Sequence, residues 1–455
     1  MTDNKLFGTN GIRFIPGKEY GLDFIVNMGL SIGTFFDKPD IIVGFDGRNS
    51  SPSISRAISA GLMESGKNVI SAGMVPTPAL QLITKNSYDG GVMITASHNP
   101  SEYNGIKVIS SNGIEVSRSE EKIIENIYFQ QKYNRQNWEN VGKISSDTSS
   151  INNYIHSVIQ NVDSSAIKNR KLKIVIDSGN GTQALTAPLI SESLGCEVIT
   201  VNNHIDGTFS GRGGEPTPDT LKFLSQSVVE NNADIGVGFD GDGDRSIFCD
   251  EKGIVFWGDK SGTLVSEHLI NKGIKSPVVT TIATSLIIEK VTSKYNVNVH
   301  RTKVGSVDVS HKMLELDSKF GFEENGGCLY SPHVAVRDGG MGTALMLELL
   351  SFSDTTLSEN LSTLPNFYQS KTKFSCPIDS RESIIHDIAS SISEEIDQTD
   401  GLKIHWSENS WSLIRPSGTE PIIRLFSESD SQSHLDAIMT KCSTLVNDLI
   451  KNLNS

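Results

Sequence analysis

Short apolar runs that stop abruptly at polar, glycine-rich turns recur along the chain. A stretch with helical spacing follows most of them. In "PDIIVGFDGRNSSPSISRAISAGLMESG", Ile41, Ile42 and Val43 form such a run, and an uninterrupted apolar segment between turn signals predicts a buried strand. Ile54, Ala57, Ile58, Gly61 and Leu62 then recur at helical spacing, with Ser50 or Ser51 as the expected cap and Pro52 in the first turn. "KNVISAGMVPTPAL" predicts a second strand and a proline-marked loop. The theme returns in "KLKIVIDSGNGTQALTAPLISESLGCEVITVN", where a strand ends at Asp177, and again in "SPVVTTIATSLIIEKVTSKYNVNVHRTKVGS". Three such units predict repeated α/β domains. The last part breaks the pattern. "KTKFSCPI", "LKIHWS", "SWSLIRPS" and "PIIRLFSES" read as short strands, followed by a helix over residues 434–453 with Leu435, Ile438, Met439, Cys442, Leu445 and Leu449 on one face. This predicts a smaller C-terminal α+β domain, joined through "SFSDTTLSENLSTLPNFYQSK".

The chain has 455 residues, enough for about three domains, with four within range. The patterning divides it into residues 1–150, 151–253, 254–366 and 367–455. A formal net charge of −14 argues against a general nucleic-acid or anionic-membrane surface, since both need basic patches. Phosphate ligands stay open, because a few Arg or Lys and backbone N–H groups suffice to bind them. Five dispersed cysteines, Cys196, Cys249, Cys328, Cys376 and Cys442, without any CxxC, speak against a disulfide framework or a zinc ribbon. The opening "MTDNKLFGTNGIR" lacks signal-peptide features, and no apolar run approaches the ~20 residues of a membrane span. The expectation is a cytoplasmic protein, monomer or homodimer.

Four stretches carry candidate chemistry. In "GGVMITASHNPSEYNGIKV", Ser97 follows a strand, at the kind of position where α/β domains bind ligands. His98 is its neighbour, but adjacent residues on an extended chain point apart, and no His-Asp partner is evident. Turn residue and nucleophile both remain open for Ser97 on this segment alone. In "IGVGFDGDGDRSIFCDEKG", Asp240, Asp242 and Asp244 alternate with glycines. Carboxylates so close repel unless a cation holds them, and oxygen ligands suit a hard divalent ion such as Mg²⁺. A calcium EF-hand is excluded, because its required glycine is Arg245 here and the flanks read as strands. In "IRPSGTEPIIR", Ser417, Gly418 and Thr419 with Arg415 and Arg424 form a plausible anion cradle or an ordinary turn. In "KFGFEENGGCLYSPH", Glu323, Glu324 and Asn325 precede two glycines, as a polar hairpin turn or a sugar-hydroxyl site.

Together with "FGTNGIR", these stretches resemble the α-D-phosphohexomutase family over nearly the whole chain, through "TASHNP", "DGDGDR", "FEENGG" and "RPSGTEP" in family order. The resemblance implies three related α/β domains with mixed sheets plus a smaller C-terminal α+β domain, in a four-domain heart-shaped arrangement. It implies that Ser97 carries a phosphoryl group, and that Asp240, Asp242 and Asp244 hold Mg²⁺ with an oxygen on Ser97. Glu323 and Asn325 match the sugar loop, with Lys303 in the third-domain specificity loop. Arg415, Ser417, Gly418, Thr419 and Arg424 match the phosphate loop, and Arg245 the arginine beside the metal. Arg13, Lys107 and His98 are the candidates for proton transfer. A sugar phosphate is the implied partner and a hexose 1,6-bisphosphate the implied intermediate and activator. The start "FGTNGIR" leans towards a glucosamine phosphate, with glucose or mannose phosphates as alternatives and a phosphatase as a further reading. The chain departs from the family where Asn325 replaces Ser, Gly327 replaces His, and Ser306 stands where some relatives have His. His333 is expected to be a bland surface residue.

Overall fold

The computed structural model describes residues 5–352, 354–417 and 421–452, apart from the side chains of residues 378 and 452. Three mixed sheets share one strand plan. In each, two parallel strands lie beside a third parallel strand, which turns back in an antiparallel hairpin with the strand that follows it. In the first sheet these are Asp40–Phe45, Asn68–Met74 and Gly90–Ile94, with Asn104–Ser110 as the return strand. In the second they are Lys173–Asp177, Glu197–Val201 and Ile235–Phe239, returning through Ser246–Asp250. In the third they are Val278–Thr281, Val299–Thr302 and Phe320–Phe322, returning through Cys328–Tyr330. The hairpin turns of the three sheets are therefore the stretches around Ser97, Asp240–Asp244 and Glu323–Asn325.

The hairpin strands Gly90–Ile94, Ile235–Phe239 and Phe320–Phe322 are buried along their whole length. Such strands read as continuous apolar runs rather than alternating ones, which is why the sequence pattern locates them. One hydrophobic cluster runs from Ile42 and Met93 through Ile176 and Phe239 to Phe322 and Leu347, binding the three sheets and their helices into one body. A separate cluster around Leu402, Ile414, Leu425 and Cys442 supports the last sheet. That sheet is wholly antiparallel, in the order Tyr368–Ser375, Ile422–Ser429, Ser410–Pro416, Leu402–Ser407, Glu395–Asp397. The α/β architecture with a smaller C-terminal domain is as the sequence implies.

Several local expectations are corrected. The helix Ser51–Glu64 starts as predicted but without a serine side-chain cap. Instead Ser51 Oγ donates to Asp46, 2.6 Å away. The stretch after Pro76 is the helix Thr77–Ser87 rather than a loop. The connecting stretch contains a short helix, Leu357–Ser362, opened by a Thr356–Glu359 capping box. The final helix spans Gln432–Asn452. His333 is not on the surface. It is buried, with Nδ1 3.0 Å from Ser157 Oγ and Nε2 3.2 Å from Asp338. Its neighbours Tyr154 and Ser157 lie on the helix Ser150–Gln160, so packing from a distant segment makes it core.

Candidate active site

The turn that carries Ser97 is held against its natural preference. Ser97 sits at φ 49°, a left-handed conformation uncommon for residues other than glycine. Its backbone N–H donates to Thr95 Oγ1 (2.8 Å) and its side chain is buried. The restraint comes mainly from Arg48, which is completely buried. Arg48 donates to the carbonyls of Ser97 and Asn99 (both 2.7 Å) and of Pro100 and Tyr103 (2.6 and 2.9 Å). Its Nε pairs with Asp46 at 3.0 Å, so five bonds from one guanidinium shape the loop. Strain of this kind persists only where the surroundings over-determine it, and it clusters at functional sites.

Ser97 Oγ donates to Asp240 across 2.6 Å, joining the first hairpin turn to the second. The approach needs a glycine, since a Cβ on residue 241 would lie 2.7 Å from the Ser97 carbonyl oxygen. Asp240, Asp242 and Asp244 are buried and offer oxygens within 4.8 Å of one another. Burial, then the charges of Asp244 and Asp242, push the Asp240 carboxyl well above its ordinary range. Burial acts upward on Asp242 too, but Lys107, Thr77 and nearby arginines hold it below the usual carboxylate value. Without a cation, neighbouring carboxylates so close repel one another. Asp242 Oδ1 and Asp244 Oδ1 are buried without a hydrogen-bond partner. Two free carboxylate oxygens in a dry, all-oxygen donor set, beside a hydroxyl on Asp240, fit a hard divalent cation.

Positive side chains surround these acids. Lys107 Nζ lies 3.2 Å from both Asp242 and Asp244 and 3.7 Å from Glu115. Burial would lower its pKa, but these three carboxylates raise it, so it stands as an ammonium. Arg245 is 4.0 Å from Asp240 and Asp244, and its backbone N–H donates to Asp240. Arg13 reaches Asn99 in the serine loop at 3.2 Å, and burial lowers its pKa to about 10. His98 Nδ1 lies 3.4 Å from Ser97 Oγ. The charge of Arg245, then burial, hold its pKa well below the ordinary value, so the imidazole is neutral. Glu323 is buried, and burial raises its carboxyl. Asn325 Oδ1 accepts from the Gly327 backbone N–H within its own turn.

Of the remaining predicted residues, Lys303 and Arg415 flank the junction between the third unit and the C-terminal sheet, while Arg424 and Ser417 lie within the C-terminal unit. Lys303 is exposed just beyond the strand Val299–Thr302. Asp400 ties this segment to the last domain, accepting from Val304 N (3.0 Å) and Arg415 Nε (2.6 Å). Arg415 and Arg424 face each other in register on neighbouring strands, and the Ser417 carbonyl accepts from Arg381. Gly418 and Thr419 lie outside the described residues.

Sequence reasoning missed Arg48, Asp46, Thr77, Glu115 and Arg337. Arg337 joins Asp244 (2.6 Å) to Glu323 (3.3 Å). Its signal was available: "VAVRDGG", an apolar strand ending in charged residues before glycines, has the same form as the stretches that were singled out.

Comparison with known proteins shows the family and the fold. The four phosphoglucomutase/phosphomannomutase family profiles match in order: alpha/beta/alpha domains I, II and III at residues 4–135, 152–253 and 257–368, and the C-terminal domain at 378–443. The phosphoglucosamine/phosphogalactosamine mutase of Sulfurisphaera tokodaii is 41% identical over 451 residues, covering 97% of this chain and 99% of that protein. The chain belongs to the α-D-phosphohexomutase family. It is a phosphohexomutase, an isomerase that moves a phosphoryl group within a sugar phosphate. A phosphoglucomutase/phosphomannomutase of Thermococcus kodakarensis is 39% identical, covering 94% of this chain and 95% of that one. Among solved structures, a family protein from Burkholderia thailandensis superposes with a TM-score of 0.88 at 23% identity, over 98% of this chain and 97% of that chain. No described helix is long and apolar enough to cross a membrane.

Proposed function

We propose that this phosphohexomutase interconverts hexosamine 6-phosphate and hexosamine 1-phosphate, with Ser97 as the phosphoryl carrier. The observation that supports this reading best is Ser97 Oγ at 2.6 Å from a buried triad of carboxylates. Asp240, Asp242 and Asp244 would hold Mg²⁺ together with an oxygen on Ser97. When bound, the ion neutralises charge on the phosphoryl group and orients it.

The chain's own residues supply the rest. Arg48 holds the Ser97 turn so that its Oγ stays at the metal loop. The phosphoryl group passes from Ser97 to the free sugar hydroxyl, giving a hexose 1,6-bisphosphate. After the sugar reorients, the other phosphate returns to Ser97. Glu323 and Asn325 grip sugar hydroxyls in both orientations. Arg415, Ser417, Gly418, Thr419 and Arg424, with Lys303, hold the phosphate that is not reacting. Of the candidates for proton transfer, His98 is the neutral one, and it takes the hydroxyl proton at Nδ1 or Nε2. Lys107 and Arg13 stay cationic and, with the Arg245 side chain beside the triad, stabilise the charge that develops.

The amino sugar is favoured by the Sulfurisphaera relative, while the Thermococcus relative makes glucose and mannose phosphates the comparison set. Side-by-side turnover of glucosamine, glucose and mannose phosphates with Mg²⁺ tests this. The highest kcat/KM is expected for the glucosamine phosphates. A preference for another sugar refutes the assignment, and stoichiometric release of free phosphate refutes mutase action.

A further inference from the structure

Arg337 ends the strand Val334–Arg337 and is almost wholly buried, at 2% exposure. Its Nη2 donates to Asp244 Oδ2 at 2.6 Å and its Nη1 to Glu323 Oε2 at 3.3 Å. With the Asn10 amide turned so that its nitrogen meets the Thr9 carbonyl, the Asn10 oxygen accepts from the same Nη2 at 3.1 Å. One guanidinium therefore touches a segment of each of the three α/β units. The other oxygens of its two carboxylate partners, Asp244 Oδ1 and Glu323 Oε1, are buried and have no hydrogen-bond partner. A buried polar oxygen left unpaired is costly, so both are held ready for groups that arrive from outside.

The surroundings are built to keep Arg337 there. A Cβ on residue 327 would lie 2.6 Å from Arg337 Cδ and 2.9 Å from its Cγ, so only glycine lets the arginine stem cross the sugar-loop turn. From behind, Asp338 caps the helix Gly339–Ser351 through Met341 N (2.9 Å) and accepts from Tyr154 Oη (2.5 Å). These bonds anchor the backbone from which Arg337 extends.

We propose that Arg337 is a positioning residue that couples metal binding to sugar recognition. It fixes one oxygen of Asp244 and one of Glu323, so that the opposite oxygens meet the cation and the sugar in a common register. This rests on the assignment of the Asp triad and Glu323 under Proposed function. It also gives Gly327, one of the departures from the family sequence, a physical role: the turn trades a side chain for room for Arg337.

The test uses the full-length protein, dephosphorylated for binding of Mn²⁺ as a spectroscopic probe and primed with hexose 1,6-bisphosphate for turnover. Mn²⁺ affinity is read by electron paramagnetic resonance, and the KM of the hexose phosphates is read separately from kcat. In Arg337→Met both Mn²⁺ affinity and sugar KM are expected to worsen, each by about 10- to 100-fold, the range for residues that orient ligands. Gly327→Ala displaces the arginine stem without removing its charge and is expected to shift both readouts in the same direction. It serves if the Met variant fails to fold. Asp244→Asn is the control. Loss of Mn²⁺ binding in Asp244→Asn with both readouts of Gly327→Ala and of folded Arg337→Met within about 2-fold of wild type overturns the coupling alone. Undiminished Mn²⁺ binding in Asp244→Asn overturns the metal-site reading and the coupling with it. A shift in only one readout also overturns the coupling.

Discussion

Replacing Arg48 by Met should unfasten the Ser97 loop without touching a catalytic atom. Arg48 and Asp46 form an ion pair with both side chains at 0% exposure, and four carbonyls of residues 97–103 depend on the same guanidinium. Removing one partner of a buried ion pair costs about 3–5 kcal/mol. The carbonyls would recover part of their bonding from water only if the loop opens. For a unit of this size, about 2–4 °C of melting temperature is lost per kcal/mol, so a drop of about 10 °C is expected. Activity should fall further than stability. The φ of 49° at Ser97 loses its main restraint, and a displacement of about 1 Å at a reacting group costs on the order of 100-fold in rate. Arg48→Lys, with three donors for five bonds, should lie between Met and wild type. Thermal unfolding followed by near-UV circular dichroism, with kcat measured well below the transition, reads both effects. A melting temperature within about 2 °C of wild type together with full kcat would refute the argument that Arg48 shapes the loop.

Gly241→Ala places a methyl group 2.7 Å from the Ser97 carbonyl oxygen, so kcat should fall by about 100-fold while a melting curve shifts far less. His98 is neutral because of Arg245 and burial, so the acid limb of kcat/KM should lie below pH 6.5. His98→Gln should lose about 10²–10⁴-fold in kcat, and a loss under 3-fold would exclude it as the base. Glu121 has its carboxyl raised to about 7, chiefly by burial and against the pull of Arg118. The folded state therefore keeps this proton to a higher pH than the unfolded chain does. Its contribution is full below about pH 4.5 and is lost as pH rises towards about 7, so Glu121→Gln should flatten the fall in stability across that window in chemical denaturation.

Much of the fold was legible because the hairpin strands are buried on both faces and so announce themselves as apolar runs. Their chemistry follows at once in sequence, which is why Ser97, Asp240–Asp244 and Glu323 stood out. The repeat also explains the site: the same turn of the same hairpin, used three times, brings these stretches together. What stayed hidden was set by packing between distant segments. Nothing near His333 in sequence says that Tyr154 and Ser157 will cover it. Arg48 and Arg337 act on loops about 50 and 93 positions away in the chain, so even where the sequence marks the arginine, as at Arg337, it does not show which turn it will brace. The helix after Pro76 was missed because two prolines outweighed its helical continuation, yet Pro78 lies in its first turn, where no N–H partner is lost.

The central claim is that Ser97 carries the phosphoryl group between the two ends of the sugar. It is tested most directly by incubating the protein with hexose 1,6-bisphosphate labelled with radioactive phosphorus, in the presence of Mg²⁺, and mapping the label by peptide mass spectrometry. The account predicts stable label on Ser97 alone, its transfer to added hexose 6-phosphate, and neither label nor mutase activity in Ser97→Ala. Label on another residue, or a Ser97→Ala protein that turns over at the wild-type rate, would contradict it.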